Sequence, residues 1–460
     1  MKARRMIGSM GRKIGLDGAI AYSSAARVVQ AVAGVISIFF IGAFLTGEEQ
    51  GFYFTFGSIL AIQVFFELGF TGIITQYVAH ETAYLTIEPD GSVTGDETHR
   101  SRLAYLLRFC TKWYAVVTLL FLLVIIVAGF IYFNRYDKSG GAVEWRIPWI
   151  VISLSTALKL FQSPFTSYYM GLGYVKEMNK LVFFQQLVIP IVCWLMLAFG
   201  MKLYAAAVNA LVGSLIWFLF VGSDSRLCTS FAVLWKQKIT EKISYMKEIF
   251  PFQWKIAVSW ISGYFIFQLF NPVLFATEGA QVAGQMGMTL TVLNAILAFA
   301  LSWQVTKVPT YSRMVELRQW GELDTLFNRT LRQMVAVCTV LLAGMFFCIW
   351  LLDVTQLGFR GEVLADRFLG YLPMLLMMLP LLANQFVNSW ATYLRCHNQE
   401  PVLVQSVVMG VCCLLSTLLL GRMFGLYGIT CGYCALTLFM SLPWVYLIFI
   451  RKKKEWHNEP

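Results

Sequence analysis

The sequence contains little charge, and this shortage bears on its fold class. Only 13% of its 460 residues are Asp, Glu, Lys or Arg, whereas a soluble globular chain carries about 25%. Hydrophobic residues make up 58%, and they form many apolar windows of about 20 residues, which is the length of a transmembrane helix. The composition therefore predicts an all-α protein that crosses the membrane many times.

The chain also lacks the clusters that metal sites and disulfide frameworks need. Its four histidines are scattered, so we predict no metal site. Most of its ten cysteines fall inside apolar segments, where cysteine behaves as a small hydrophobic residue. We expect no cofactor. The net charge of +11 comes from short basic segments between apolar ones, so we expect membrane contact and no nucleic-acid partner.

Twelve apolar segments are long enough to cross a bilayer. They cover residues 18–45, 52–79, 113–133, 147–171, 181–200, 203–222, 251–276, 282–308, 331–352, 368–394, 401–420 and 424–450. Most Lys and Arg residues lie in the connections that share a side with the N-terminus. Because such connections stay in the cytoplasm, we expect both termini there.

The order of the segments predicts two halves joined by a linker. We expect a cytoplasmic N-terminus (1–17), an N-terminal six-helix lobe (18–222), an amphipathic cytoplasmic linker (223–250), a C-terminal six-helix lobe (251–450) and a basic cytoplasmic tail (451–460). Aligning Gly51 with Gly284 brings two short, acidic, glycine-containing turns into register, which is the layout of an internal repeat. Polar, turn-forming residues at 88–97 predict a mobile surface loop.

Four charged residues lie inside predicted spans and away from their ends: Arg27, Glu67, Lys159 and Lys255. A charge at membrane depth costs about 2.5–3.5 kcal/mol on insertion scales, so it usually faces a partner or a water-filled cavity. Because Arg and Lys bind anionic groups, Arg27, Lys159 and Lys255 are candidate residues of a substrate cavity. Lys255 could instead reach the cytoplasmic surface. Glu67 is either a structural partner of Arg27 or a proton or cation site.

Amide side chains at membrane depth form a second polar group. Such side chains join helices more often than they bind ligands, but as a set they are compatible with a hydrated lumen. The set comprises Gln30, Gln63, Gln268, Asn271, Asn294, Gln304, Asn384, Gln385 and Asn388.

Three stretches carry a resemblance to a known family. They begin at Ser24, Leu45 and Glu67 and read SAARVVQAVAG, LTGEEQGFY and ELGFTGIITQYVA. In the third, an acidic residue and a Leu-Gly pair precede an apolar run. Together with the KVPTYS stretch that begins at Lys307, they resemble the polysaccharide-transporter branch of the multidrug/oligosaccharidyl-lipid/polysaccharide (MOP) exporter superfamily.

The resemblance implies a MATE-like fold of about 12 transmembrane helices, with two six-helix lobes around a central cavity. It implies a flippase, and not an enzyme, that moves a lipid-linked oligosaccharide of the undecaprenyl-diphosphate type to the outer leaflet by alternating access. The product would serve cell-surface polysaccharide biosynthesis, such as that of O-antigen in lipopolysaccharide. The implied location is the bacterial inner membrane. The implied partners are membrane lipids, polysaccharide-assembly proteins and a coupling ion, H⁺ or Na⁺.

Two other functions stay open at this point. A cation-coupled small-molecule or multidrug exporter of the same superfamily would share the architecture, but its lumen would favour acidic residues. A membrane glycan polymerase or glycosyltransferase would need catalytic groups at a membrane face. Glu48 and Glu49 form the one acidic pair that could serve it, and the simpler interpretation of this pair is the capping of a turn.

Overall fold

The described chain is built almost entirely from helices, as the composition predicts. A computed structural model describes residues 18–359, 362–397 and 399–457. The predicted N-terminal segment 1–17 and residues 458–460 of the basic tail lie outside the described residues. The structure confirms the prediction of an all-α polytopic membrane protein.

The helices follow one another with short connections. They are α1 (Gly18–Phe44), α2 (Gly47–Leu60), α3 (Val64–Glu67), α4 (Phe70–Thr82), α5 (Glu97–Tyr136), α6 (Arg146–Gly171), α7 (Val175–Ala198), α8 (Ala205–Ser223), α9 (Ser225–Lys236), α10 (Phe250–Phe267), α11 (Phe270–Thr277), α12 (Ala280–Val305), α13 (Val308–Glu316), α14 (Trp320–Val354), α15 (Tyr371–Arg395), α16 (Leu403–Ala435) and α17 (Leu442–His457). Two π-helical turns, Tyr245–Ile249 and Leu436–Ser441, precede α10 and α17. Two short hairpins, β1–β2 (Leu85–Ile87, Val93–Gly95) and β3–β4 (Gly358–Phe359, Glu362–Val363), complete the fold.

Nine helices of the described ranges are long and apolar enough to cross a membrane, and one bent pair, Gly47–Glu67 with Phe70–Thr82, raises the number to ten. Two features separate this number from the twelve predicted spans. Helix α6 matches span 147–171 in position, but its charged and hydroxyl side chains make it more polar than the nine. The run Leu403–Trp456 covers two predicted spans, and Gly425 interrupts it with a non-helical backbone (φ +55°). The count of twelve stays a prediction.

The described residues group into two compact units. The first contains the residues up to Phe40, then Ile62–Asn134 and Glu144–Trp260. The second contains Ile41–Ala61, Arg135–Val143 and the residues from Ile261 onward. Each unit has its own buried apolar core. The predicted lobes, 18–222 and 251–450, divide the chain differently, and their boundaries stay a prediction.

The polar segment between the second and third predicted spans is not a free loop. Strand β1 pairs antiparallel with β2, and α5 begins directly afterwards at Glu97. Val93 is buried. Gly91 has φ +89°, and a Cβ added there would lie 2.2 Å from the carbonyl oxygen of Arg226 on α9. The turn is therefore anchored against the first unit, and the expectation of a mobile loop is corrected.

A cluster of charged and polar side chains holds the end of the linker to α4 and α5 in the first unit. The Glu248 carboxylate accepts hydrogen bonds from the Tyr77 hydroxyl at 2.7 Å and from Arg102 at 2.6 Å. Arg102 also donates to Glu81 at 3.0 Å. Burial acts to raise the pKa of Glu248, but hydrogen bonds from the Ser244 N–H, Tyr77 and Arg102 outweigh it, so this pKa lies below its usual value.

The acidic turn before α2 has a structural role. Thr46 is the N-cap of α2, and its hydroxyl accepts the Glu49 N–H at 3.2 Å. The Glu49 carboxylate in turn accepts the Thr46 N–H at 3.0 Å. This reciprocal pair is a capping box, which satisfies two N–H groups that the first turn of a helix leaves without partners. The contacts favour the capping interpretation of the acidic pair over a catalytic one.

Two glycines let α2 and α12 touch backbone to backbone in the second unit. A Cβ added to Gly51 would lie 1.9 Å from the carbonyl oxygen of Ala280, and one added to Gly284 would lie 3.1 Å from that of Gly47. The alignment that pairs Gly51 with Gly284 also pairs Gly47 with Ala280, so the two contacts are reciprocal. Helices α2 and α12 begin at the paired residues Gly47 and Ala280. The geometry therefore supports the internal repeat.

Candidate functional site: a polar cavity in the first unit

A polar cavity of about 360 Å³ lies among the helices of the first unit. Its walls come from α3, α4, α6, α7 and α8. The side chains that give it its chemistry are Glu67, Lys159, Gln162, Gln185, Gln186 and Asn209. Because each of these lies in a predicted membrane span, the cavity is a polar site within an otherwise apolar bundle.

The chain breaks its helical path beside this cavity. Glu67 ends α3, and the next two residues, Leu68 and Gly69, adopt left-handed conformations with φ +51° and +67°. A left-handed conformation costs a side-chain-bearing residue about 1–2 kcal/mol, so Leu68 is strained. Gly69 avoids that cost, and a Cβ there would lie 2.4 Å from Cγ2 of Ile256. The Leu-Gly pair after Glu67 therefore marks a helix break, which is tolerated at membrane depth where it lines a cavity.

Lys159 on α6 is the positive charge that lines the cavity together with Glu67. Glu67 is partly exposed and Lys159 is exposed, so both charged groups are accessible from the cavity. Ser163 lines the same cavity. Ser163 also donates to the carbonyl oxygen of Leu160 at 2.9 Å. That carbonyl has no helical N–H partner, because Pro164 lacks an N–H. The Ser163 hydroxyl takes the place of the missing donor.

The structure does not bring all four sequence-predicted charges together. Glu67 and Lys159 line the cavity, whereas Arg27 and Lys255 are not among its lining residues. Both are exposed, Arg27 on α1 and Lys255 on α10. The Lys255 ammonium lies 5.9 Å from the ring centroid of Trp254. Their roles in a substrate cavity stay predictions.

Arg27 does not form the ion pair that we considered for Glu67. Within the part of the chain that the structure describes, no salt bridge joins these two residues. Lys159 lines the same cavity as Glu67, but over the described ranges no salt bridge joins these two residues either. Both residues lie in predicted spans, and the role of Glu67 as a structural partner or as a proton or cation site stays a prediction.

The amides of the cavity are functional candidates that sequence analysis missed. Gln162 donates to the carbonyl oxygen of Ser214 at 3.2 Å, and Gln185 donates to that of Gly213 at 2.8 Å. The side-chain amides of Gln186 and Asn209 form no hydrogen bond with another described group. All four amides lie in predicted spans. They could have been identified from the sequence, because polar side chains at membrane depth usually join helices or line a cavity.

Several amides that sequence analysis did select join helices in the second unit. Asn271 donates to the Ser58 hydroxyl at 3.2 Å, and Asn384 donates to the Tyr433 hydroxyl at 3.1 Å. Gln304 donates to the carbonyl oxygen of Ser389 at 3.1 Å and accepts from its hydroxyl at 3.0 Å. These contacts confirm, for these residues, the expectation that such amides act as interhelical hydrogen-bonding groups.

The cavity offers charge and hydrogen bonds to a ligand. Lys159 can hold an anion, Glu67 can hold a proton or a cation, and Gln186 and Asn209 can bond hydroxyl groups. Over the described ranges, no group of three or more His, Cys, Asp or Glu side chains could hold a metal ion. The arrangement is therefore suited to polar recognition at membrane depth.

The fold and the cavity define a class: the chain is a multi-pass helical membrane protein with a polar cavity inside a helical bundle. By sequence, it matches no family model and no curated protein. By structure, it is similar to an inward-facing multidrug resistance MATE family transporter of the MOP superfamily, with a TM-score of 0.60 and 12% identity over 92% of this chain and 99% of that one.

A second similar structure is the lipid II flippase MurJ in an inward closed conformation. Its TM-score is 0.56 at 12% identity, over 95% of this chain and 90% of that one. A third is the Vibrio cholerae MATE transporter VcmN in a bent form, with a TM-score of 0.50 and 14% identity over 95% and 98% of the two chains. At such low identity the likeness shows the fold alone, and it confirms the predicted MATE-like fold class.

Proposed function

We propose that this protein is a MOP-type transporter that flips a lipid-linked oligosaccharide from the inner to the outer leaflet of a bacterial inner membrane. The observation that carries the proposal is an accessible lysine, Lys159, in a cavity at a helix break. An ammonium group suits the diphosphate or acidic sugars of such a substrate. Gln186 and Asn209 can bond sugar hydroxyls, and about 360 Å³ falls within the usual size of ligand sites.

The comparisons support a transporter without identifying its substrate. One similar structure is named a multidrug transporter and another a lipid II flippase, so the shared fold is compatible with both cargoes. The balance of intramembrane charge favours an anionic cargo, since Arg27, Lys159 and Lys255 stand against Glu67 alone. We propose that Arg27 and Lys255 add positive charge along the path of the substrate, and that both termini lie in the cytoplasm.

The proposal is tested by removing the positive charge of the cavity. Lys159→Gln should lower the rate at which proteoliposomes move an undecaprenyl-diphosphate oligosaccharide to the outer leaflet, measured by lectin accessibility. A charge-assisted hydrogen bond is worth about 1.5–3 kcal/mol, so we expect roughly a tenfold to hundredfold decrease. Lys176→Gln is the matched control, because Lys176 is exposed in the first turn of α7 and does not line the cavity. Equal rates for both variants would contradict the assignment.

Glu67 favours a second candidate, a cation-coupled exporter of small molecules. A partly exposed carboxylate beside a helix break is a suitable site for H⁺ or Na⁺. The same proteoliposomes distinguish the two functions. Efflux of a cationic dye that Glu67→Gln abolishes, in a protein that does not move the oligosaccharide, would establish the exporter and exclude the flippase.

A further inference from the structure

The second unit contains a groove that the proposed transport cavity does not include. A space of about 560 Å³ lies between α14, α15 and α17. The aromatic groove, as we call it, is lined by Leu331, Phe386, Trp390, Tyr446 and Phe449. The Trp390 ring lies 5.1 Å from that of Tyr446 and 5.9 Å from that of Phe449. Its walls are therefore apolar, and they are held in place by ring contacts.

Positive charge gathers at one end of the aromatic groove. Lys453 and Lys454, near the end of α17, line it directly. Asn328 lines both this groove and a neighbouring space of about 430 Å³, whose walls include Arg329 and Arg332. We call Arg329, Arg332, Lys453 and Lys454 the basic rim.

The basic rim has an excess of positive charge that the protein does not neutralise. Lys453 pairs with Asp324 at 2.7 Å. Arg329, Arg332 and Lys454 are exposed, and none of the three forms an ion pair with another residue in the described ranges. A groove that is apolar along its length and cationic at one end matches the polarity of a phospholipid with an anionic headgroup.

We propose that the aromatic groove binds an anionic phospholipid from the surrounding membrane. Its phosphate lies against Arg329, Arg332 and Lys454, and its acyl chains lie along Leu331, Phe386 and Tyr446. Charge complementarity at the rim selects anionic over zwitterionic lipid, and the apolar walls select lipid over a free anion. The site shares no lining residue with the cavity of the first unit, because it uses residues of the second unit only.

The test compares two charge-matched triple variants of the purified full-length protein. The first is Arg329→Gln/Arg332→Gln/Lys454→Gln. The second, which removes three exposed lysines of the first unit, is Lys176→Gln/Lys236→Gln/Lys238→Gln. Native mass spectrometry measures retention of phosphatidylglycerol against phosphatidylcholine. Because a basic residue near a lipid surface contributes about fivefold to anionic-lipid affinity, the first variant should lose its preference for phosphatidylglycerol by about tenfold or more, and the second should keep it.

A further variant tests the apolar part of the site. Leu331→Trp fills the groove without changing its charge, so it should reduce retention of phosphatidylglycerol while monodispersity on size exclusion is kept. Equal lipid preference in the two triple variants would overturn the proposal. Displacement of the lipid by inorganic phosphate, or equally strong binding of undecaprenyl phosphate, would also overturn it, because the groove would then be a free-anion site or a site for the transported carrier.

Discussion

Glu67 and Lys159 show how two charges are accommodated at membrane depth. They come from separate helices, α3 and α6, and they line the same accessible cavity. Opposite charges that share a cavity lower the cost of keeping each other charged. A charge pair in such a place is weaker than a dry one and stronger than one on a protein surface.

A double-mutant cycle should detect this pair. We expect Glu67→Gln and Lys159→Gln to be non-additive by about 1 kcal/mol in the free energy of unfolding, because each single variant leaves a charge without its partner. Unfolding is followed by circular dichroism during titration with sodium dodecyl sulfate. The control cycle combines Glu67→Gln with Arg27→Gln, which should be additive. A larger coupling to Arg27 than to Lys159 would contradict the expectation drawn from the shared cavity of Glu67 and Lys159.

At this scale, the sequence predicts which residues matter better than it predicts which of them meet. Glu67 and Lys159 stand out because a charge inside an apolar run is visible in the chain itself. Their proximity depends on how α3 and α6 are rotated and packed, which no local pattern encodes. Gln186 and Asn209 were overlooked because an amide is a weaker signal than a charge, although the same reasoning applies to both.

Among the elements, the break between α3 and α4 lies between two residues that line the cavity, Glu67 and Thr71. It combines a strained Leu68 with a Gly69 that has no room for a Cβ.

Two alanine substitutions, one at the break and one inside α4, should show whether Gly69 is required for the break. Gly69→Ala should lower the free energy of unfolding by about 2 kcal/mol or more, because it adds a left-handed alanine and a contact with Ile256. Gly72→Ala, inside α4 where an added Cβ meets nothing within 4 Å, should be neutral or stabilising by up to about 1 kcal/mol. Thermal melting of the two purified variants provides the measurement. If the Gly69→Ala protein were as stable as the Gly72→Ala protein, the break would not require a glycine at position 69.

Element boundaries were predictable only where polarity changes at the membrane. Helix α5 begins at Glu97, well before the predicted span at 113, because its first turns pack against the protein rather than against lipid. Hydropathy detects the lipid-facing part of such a helix and not its extension. The predicted connection between spans 401–420 and 424–450 covers residues 421–423, whereas the backbone breaks at Gly425, inside the second of these spans.

For the whole molecule, the distribution of basic residues predicts the orientation in the membrane. A fusion experiment tests it. Green fluorescent protein fused after Pro460 should fluoresce and alkaline phosphatase fused there should be inactive, because the tail is expected in the cytoplasm. Fusions after Gly141, in the connection between α5 and α6, should give the opposite pattern. The same pattern at both sites would contradict the predicted topology.

The reciprocal contact of Gly51 and Gly284 has a consequence for the history of the chain. In a symmetric homodimer, residue i of one subunit meets residue j of the other, and j meets i in return. Here Gly51 meets Ala280 and Gly284 meets Gly47. Because the alignment pairs Gly51 with Gly284 and Gly47 with Ala280, the two contacts have the same reciprocity within one polypeptide. It is the pattern expected if an ancestral protein of about half this length formed a twofold dimer before its gene was duplicated and fused. Substitution of either glycine is then constrained in the same way, because a larger residue at Gly51 would collide with the backbone of α12 and one at Gly284 would collide with the backbone of α2.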